Sequence, residues 1–314
     1  MTGPRPVGLL TFGETMGLVA AEGIGPLEHA GAFRLGIGGA ESNVAIGVAN
    51  LGRPATWIGR VGRDATGDLI ERRLRAEGVT AVVIRDASFT GLMIRHRRTG
   101  ALLNVDYHRA GSAGSRLAPS DIPVDLLRSA QILHVTGITP ALGDSARAAV
   151  FQAVETARAA GVPVSVDINH RAKLWSRFDA APVLHDLISR SDIVFAGPEE
   201  AAIVVDGPPV AGLAALGPAE VIVKDGARGC TALIDGETFT LPALAVTVVD
   251  PVGAGDAFVA GYLADRMAGA AAQARLTTAI AAGAYAVTLP GDCEGLPSRE
   301  DLAALASATD DVVR

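Results

Sequence analysis

Apolar residues along this chain fall into two alternating rhythms. Short uninterrupted runs at Val7–Phe12, Ala55–Ile58, Ile132–Thr136, Val162–Asp167, Ile193–Ala196 and Val221–Lys224 predict strands buried on both faces. Stretches of helical spacing lie between several of them. Glu41–Asn50 places Val44, Val48 and Leu51 on one face, with Gly52 as a stop. Asp64 is placed to cap a helix ending before Gly78. This alternation predicts an α/β protein: a mostly parallel sheet with helices on both faces.

One region breaks the alternation. Phe89–Arg95 and Ala101–Tyr107 are strand-like runs joined by the polar turn Arg97-Arg98-Thr99-Gly100, with no helix beside them. Together with the stretch from Thr15 to Leu35, this hairpin could form a small sheet projecting over a site. A lid of that kind would keep water from an activated group; an edge hairpin without a role is the plainer alternative. An exposed lid sheet could also pair across a two-fold axis, so a homodimer or higher homo-oligomer is expected.

The chemistry concentrates at Asp250-Pro251-Val252-Gly253-Ala254-Gly255-Asp256-Ala257-Phe258. A strand-like run, Ala243 to Val249, precedes it. After it, Phe258 and Tyr262, and Val259, Leu263 and Met267, recur at helical spacing. The glycines allow a tight turn that aims backbone N–H groups from a helix N-terminus, which suits an anion. Asp256, in the first turn, repels phosphate but could take the proton of a hydroxyl that attacks it. Its unperturbed pKa of about 3.9 keeps it ionised at neutral pH. An anion cradle beside a base is the minimal equipment of a small-molecule kinase. The plainer readings are an ordinary strand-to-helix turn and an aspartate that favours the helix dipole.

This run resembles the C-terminal signature of the ribokinase-like (PfkB) sugar kinases, with Pro251 and Val252 where two threonines are usual. Gly38-Gly39-Ala40-Glu41-Ser42-Asn43-Val44-Ala45, continuing to Leu51-Gly52, resembles that family's N-terminal glycine signature. The resemblance implies a ribokinase-like three-layer α/β/α fold with a small β-sheet lid. It implies one domain over residues 1–314, with a discontinuous lid from about 13–36 and 88–110. It implies ATP and Mg2+ as cofactors. Gly253, Ala254 and Gly255 would hold the transferring phosphoryl group and Asp256 would be the base. Lys224, Gly226 and Gly229 resemble the nucleotide-side loop, joined by Gly253 and Gly255. In Gly197-Pro198-Glu199-Glu200 the family has Asn first and Glu last; Glu200 would organise magnesium through water, and Gly197 stands where Asn is expected. No GxxxxGK[ST] loop occurs, and Gly36-Ile37-Gly38-Gly39 has the wrong spacing for a dinucleotide fingerprint.

Three further clusters resemble the 2-keto-3-deoxygluconate kinases of that family: Tyr107 to Ser115, the run Asp167-Ile168-Asn169-His170-Arg171 to Trp175, and Gly291-Asp292 with Glu294 to Pro297. Arg109 and Arg171 are the informative pair, because a sugar acid has a carboxylate that a guanidinium can hold bidentately and a neutral hexose does not. The plainer reading is that both are solvated. Gly38, Gly39 and Asn43 would contact the substrate from the other side, with Tyr107 and Asp292 completing its site. The expected reaction is phosphorylation of the terminal hydroxyl of 2-keto-3-deoxygluconate. Rivals are another sugar (fructose, ribose or 5-dehydro-2-deoxygluconate), a nucleoside, or a catalytically silent sugar- or nucleotide-binding protein.

Composition adds exclusions. A net charge of −7 gives no electrostatic footprint for nucleic acid. No apolar run is long enough to span a bilayer, and Met1-Thr2-Gly3-Pro4-Arg5-Pro6 lacks a signal-peptide core. The two cysteines, Cys230 and Cys293, form no CxxC, which fits reduced thiols and a cytoplasmic setting. Only two of the 27 basic residues are lysines, Lys173 and Lys224, which draws attention to Lys224.

Overall fold

The computed structural model describes residues 7–100 and 102–311. Both the reading of the N-terminal six residues and the first position of the Ala101–Tyr107 run lie outside them.

The first half runs β1 (Leu9–Phe12), β2 (Met16–Ile24), β3 (Phe33–Gly38), α1 (Ala40–Asn50), β4 (Ala55–Gly62), α2 (Ala65–Ala76), β5 (Thr80–Asp86), β6 (Leu92–Arg97), β7 (Leu103–His108), α3 (Val124–Ser129), β8 (Ile132–Thr136) and α4 (Asp144–Ala159). The second half runs β9 (Val164–Asp167), α5 (Arg177–Ser189), β10 (Ile193–Ala196), α6 (Pro198–Val204), α7 (Pro209–Ala214), β11 (Glu220–Lys224), β12 (Cys230–Ile234), β13 (Glu237–Leu241), α8 (Ala254–Met267), α9 (Ala272–Ala286) and α10 (Arg299–Asp311).

Nine strands form the main sheet in the order β13-β12-β11-β10-β9-β8-β1-β4-β5. Strands β5 to β11 in that order are parallel, and β12 and β13 close one edge antiparallel. Alternate residues of each strand serve opposite layers. Leu9, Trp57, Ile132 and Phe195 pack under α1, α8 and α9, with Tyr262 against Phe195. Leu10, Phe12, Leu133 and Val166 pack on the other face against Val150 and Val154 of α4. Both faces are therefore dry, which is why the strands read as uninterrupted apolar runs. The fold is the three-layer α/β/α arrangement, and Asp64 caps α2 by accepting from the Gly67 N–H.

A second sheet has the order β3-β2-β6-β7. Two antiparallel hairpins, β2/β3 and β6/β7, join through a parallel β2–β6 pairing. The β6 strand begins at Leu92 and continues through Arg97, and the reversal follows within the expected turn, with the Arg98 N–H donating to the Leu102 carbonyl.

One expectation fails. Ala243 to Val249 is not a strand: it forms no ladder, and Leu244, Val248 and Val249 are exposed. β13, the edge strand of the main sheet, ends at Leu241, and the run that follows adds no strand to that edge. The pattern resembled a buried strand because apolar runs do not report their own burial.

Candidate active site

A cavity of about 1100 Å³ opens at the C-terminal ends of the parallel strands, where ligands bind in open α/β sheets. Asp167 and Lys224, the last residues of β9 and β11, line it, and Met93, Val105 and Tyr107 of the second sheet form its opposite wall.

The two glycine signatures meet at Asp292. A Cβ at Gly38 would lie 2.0 Å from the Asp292 Oδ2, and one at Gly253 would lie 2.4 Å from the Asp292 carbonyl oxygen. Gly253 also has φ of +80° at the N-cap of α8, a left-handed position that glycine adopts without strain. This turn leaves the first N–H groups of α8, those of Ala254, Gly255 and Asp256, without intrahelical partners. Gly253, Gly255 and Asp256 line the cavity.

Asp256 is 8 % exposed. The Asn43 Nδ2 donates to its Oδ2 at 2.8 Å and to the Asp292 Oδ1 at 2.9 Å. Burial pushes Asp256 up to about 6; the Asn43 bond pulls it back, Asp292 pushes it further, and the charges of Arg171 and Lys224 lower it. Burial raises Asp292 as well, against the charge of Arg95. A carboxylate with a pKa near 6 remains ionised at pH 7 and is a stronger proton acceptor than a free aspartate.

Beside this turn, Lys224 Nζ lies 2.6 Å from Asp167 Oδ2. Burial works against the ammonium, but Asp167, Glu200 and Asp256 outweigh it and hold Lys224 charged above its ordinary range. Burial likewise lifts Asp167, opposed by Lys224. At neutral pH the two form an ion pair. The Asp167 Oδ1 is buried without a partner among the described residues. Glu200 accepts the Gly197 N–H at 2.7 Å and the His170 N–H at 3.1 Å. Gly197, the N-cap of α6, therefore serves as a backbone donor that fixes Glu200. A Cβ at Gly255 would stand 3.6 Å from Lys224 Nζ, so the lysine flanks the α8 cradle. Gly226 and Gly229 form the turn after β11 and are not among the residues lining the cavity.

The two arginines have different surroundings. Arg171 lines the cavity and has no salt bridge or side-chain hydrogen bond among the described residues. Arg109 is engaged: its Nε donates to Glu14 Oε2 at 2.7 Å, and the Ser112 hydroxyl donates to Glu14 Oε1. Tyr107, partly exposed, has the Arg109 guanidinium and the Lys173 ammonium each 5.7 Å from its ring centroid. Lys173 also donates to the Val105 carbonyl at 2.6 Å, tying the β9–α5 connection to the second sheet.

Sequence reasoning assigned no role to Glu14, Glu41 or Asn169. Glu41 is buried in the first turn of α1, with the Thr136 and Thr139 hydroxyls donating to Oε1 and Oε2 unpartnered; burial raises its pKa. Asn169 follows β9 with φ of 39°, a strained conformation of the kind found at binding sites. Glu41 belongs to the N-terminal glycine motif, but nothing local distinguishes a buried acid from a solvated one.

An α/β/α scaffold with a buried carboxylate beside a helix N-terminus, and an ammonium flanking the same turn, defines a small-molecule phosphotransferase. The comparisons make this particular. Residues 8–299 match the pfkB family carbohydrate kinase model, and the chain belongs to that family. It is 36% identical over 312 residues to the 2-dehydro-3-deoxygluconokinase of Bacillus subtilis (strain 168), covering 95% of each chain. Among solved structures, a PfkB protein from Polaromonas sp. JS666 superposes with a TM-score of 0.86 at 34% identity, covering 95% of this chain and 99% of that one. An E. coli protein described as a ribokinase II, crystallised in complex with ATP and Mg2+, superposes with a TM-score of 0.89 at 27% identity, covering 96% and 99%.

Proposed function

We propose that this carbohydrate kinase transfers the γ-phosphoryl group of ATP to the terminal hydroxyl of 2-keto-3-deoxygluconate, giving 2-keto-3-deoxy-6-phosphogluconate. The observation that carries the reading is the cavity's polarity. A base and an amide cradle lie together, and the uncommitted guanidinium of Arg171 acts on the same acids. A substrate with a hydroxyl at one end and a carboxylate at the other matches that arrangement; its B. subtilis relative bears the name of the corresponding activity.

In the reaction, the substrate hydroxyl gives its proton to Asp256 as its oxygen attacks the γ-phosphorus. The bond from that phosphorus to the bridging oxygen breaks, and the electron pair leaves on ADP. The N–H groups of Gly253, Ala254 and Gly255 receive the transferring oxygens, and Lys224 supplies positive charge from the nucleotide side. Gly226 and Gly229 give the nucleotide close backbone approach beyond Lys224. Arg171 holds the substrate carboxylate, with Gly38, Gly39, Asn43, Tyr107 and Asp292 around the sugar. Arg109, with its charge balanced by Glu14, contributes hydrogen bonds more than net charge.

Mg2+ accompanies ATP. The orphaned, buried Asp167 Oδ1 and the backbone-fixed Glu200 fit an ion that keeps its waters. Bound there, magnesium would neutralise charge on the nucleotide phosphates. The second sheet serves as a lid that keeps water from the phosphoryl group. Its exposed Ile24, Phe33 and Leu35 suit pairing of two copies. Two buried free thiols fit a cytoplasmic setting.

The deciding measurement is ADP release from ATP and Mg2+ with 2-keto-3-deoxygluconate, fructose, ribose and gluconate in parallel, with Asp256→Asn as the blank. Turnover on the keto-deoxy acid alone is expected. Turnover on a neutral sugar would keep the kinase and discard the carboxylate clamp. Silence on all four would discard the substrate class.

A further inference from the structure

Asn43 is an uncharged side chain that touches two of the acids lining the cavity, Asp256 and Asp292. Its Nδ2 carries two hydrogens, and each has its own carboxylate acceptor: Asp256 Oδ2 at 2.8 Å and Asp292 Oδ1 at 2.9 Å. The orientation of the amide is not arbitrary. Turned over, it would aim a carbonyl oxygen at two carboxylates, which offer no proton when ionised. Its Oδ1 is buried and without a partner. Both donors are therefore spent inside the protein, and Asn43 can meet a substrate hydroxyl only as an acceptor.

We propose that Asn43 is a positioning residue that binds Asp256 and Asp292 into one coupled pair and thereby sets the proton affinity of Asp256. This rests on Asp256 being the proton acceptor. The two oxygens on the fork can be no further apart than the two hydrogen bonds laid end to end, so their negative charges repel. The amide offsets that repulsion by giving each acid a hydrogen bond that is stronger when the acid is ionised than when it is protonated. The surroundings of the pair are unequal. Asp256, on α8, faces Arg171 and Lys224 as well as Asp292, and its charge is felt by Asp167. Asp292, on the loop after α9, faces Arg95 of β6, Arg171 and its neighbour Glu294. Each member has a further acid nearby, Asp167 for Asp256 and Glu294 for Asp292. Lys224, already paired with Asp167, favours the charge of Asp256.

The signature of such a pair is two shifts of opposite sign. Asn43→Ala removes the donor and raises the apparent pKa of Asp256. Asp292→Asn removes the like charge and lowers it. Each shift should be about one pH unit. The test is a carboxyl 13C NMR titration of the ligand-free full chain, with the Asp256 resonance assigned by Asp256→Asn, and the pH profile of kcat alongside. Asn43→Ser stands in if Asn43→Ala melts early, and Asp292→Asn tests the coupling by itself. Opposite shifts, with the acid limb of kcat moving the same way, support the proposal; shifts of one sign, or none, overturn it. Because the titration needs no substrate, opposite shifts in a protein that turns over no sugar acid would leave the pair standing and remove the proposed substrate. A merely structural Asn43 would lower kcat without moving the titration.

Discussion

Two places in the cavity solve one problem differently. Both bury an aspartate against the cost of desolvating its charge. Asp167 has a dedicated cation, Lys224, at 2.6 Å. Asp256 has an amide, a second acid and only more distant positive charge. The first arrangement ties the acid to a cation in an ion pair at neutral pH, although burial lifts Asp167 as well. The second leaves a proton affinity near neutrality, which a group that must accept and release a proton requires.

The largest expected effect breaks the ion pair. Lys224→Met leaves Asp167 buried without its cation and should cost ~3–5 kcal/mol in urea unfolding. Adding Asp167→Asn should restore most of it; a Lys224→Met protein as stable as the wild type would show that the pair contributes nothing. Asp256→Asn should lower kcat by at least ~100-fold, about 2.7 kcal/mol in barrier, while ATP binding persists. Activity within a few-fold of wild type would remove Asp256 as the base.

The same substitution should stabilise the protein at alkaline pH. The folded pKa, about 6, lies above the unfolded value of about 3.9, so Asp256 favours the folded state fully only below about pH 4, and that contribution is lost as pH rises through 6. After allowance for the weakened Asn43 bond, Asp256→Asn should gain ~1–2 kcal/mol at pH 8 and nothing at pH 4, measured by thermal melts at both. For the same reason kcat should fall with an acid limb near pH 6. A limb near 4 would mean that the base is solvated.

Between the arginines the expected effects are smaller. Arg171→Ala should raise the KM for a sugar acid ~10-fold with little change for ATP, because a guanidinium–carboxylate contact of about 1.4 kcal/mol is lost. Glu14→Gln should change the same KM only a few-fold, through Arg109. Equal effects on ATP and sugar acid would argue against both assignments.

The buried central β-strands of the main sheet and the two glycine signatures were legible because they are local; the edge strands β5 and β13, partly exposed, were not. A strand buried on both faces needs a run of apolar side chains, and a turn into a helix that meets an anion needs residues without Cβ. The site was half legible. Asp256, Asn43, Asp292 and Lys224 stood in recognisable runs, but their partners did not. The exposed run Leu244 to Val249 shows the limit, since it has the composition of a strand and no neighbour to pair with.

The sequence by itself determined the fold class, the place of the proposed proton acceptor and the glycine turn before α8, since each depends on residues within a few positions of one another. Only the tertiary structure decided which charges cancel. Glu14 and Arg109 are 95 positions apart, Asp167 and Lys224 are 57, and Asn43 and Asp256 are 213. Whether such groups meet depends on the order of strands in a sheet, and Coulomb energies change several-fold between a solvated and a buried pair. Periodicity and spacing carry neither quantity. Two arginines that look alike in the chain thus become one committed to an internal acid and one free to meet a substrate.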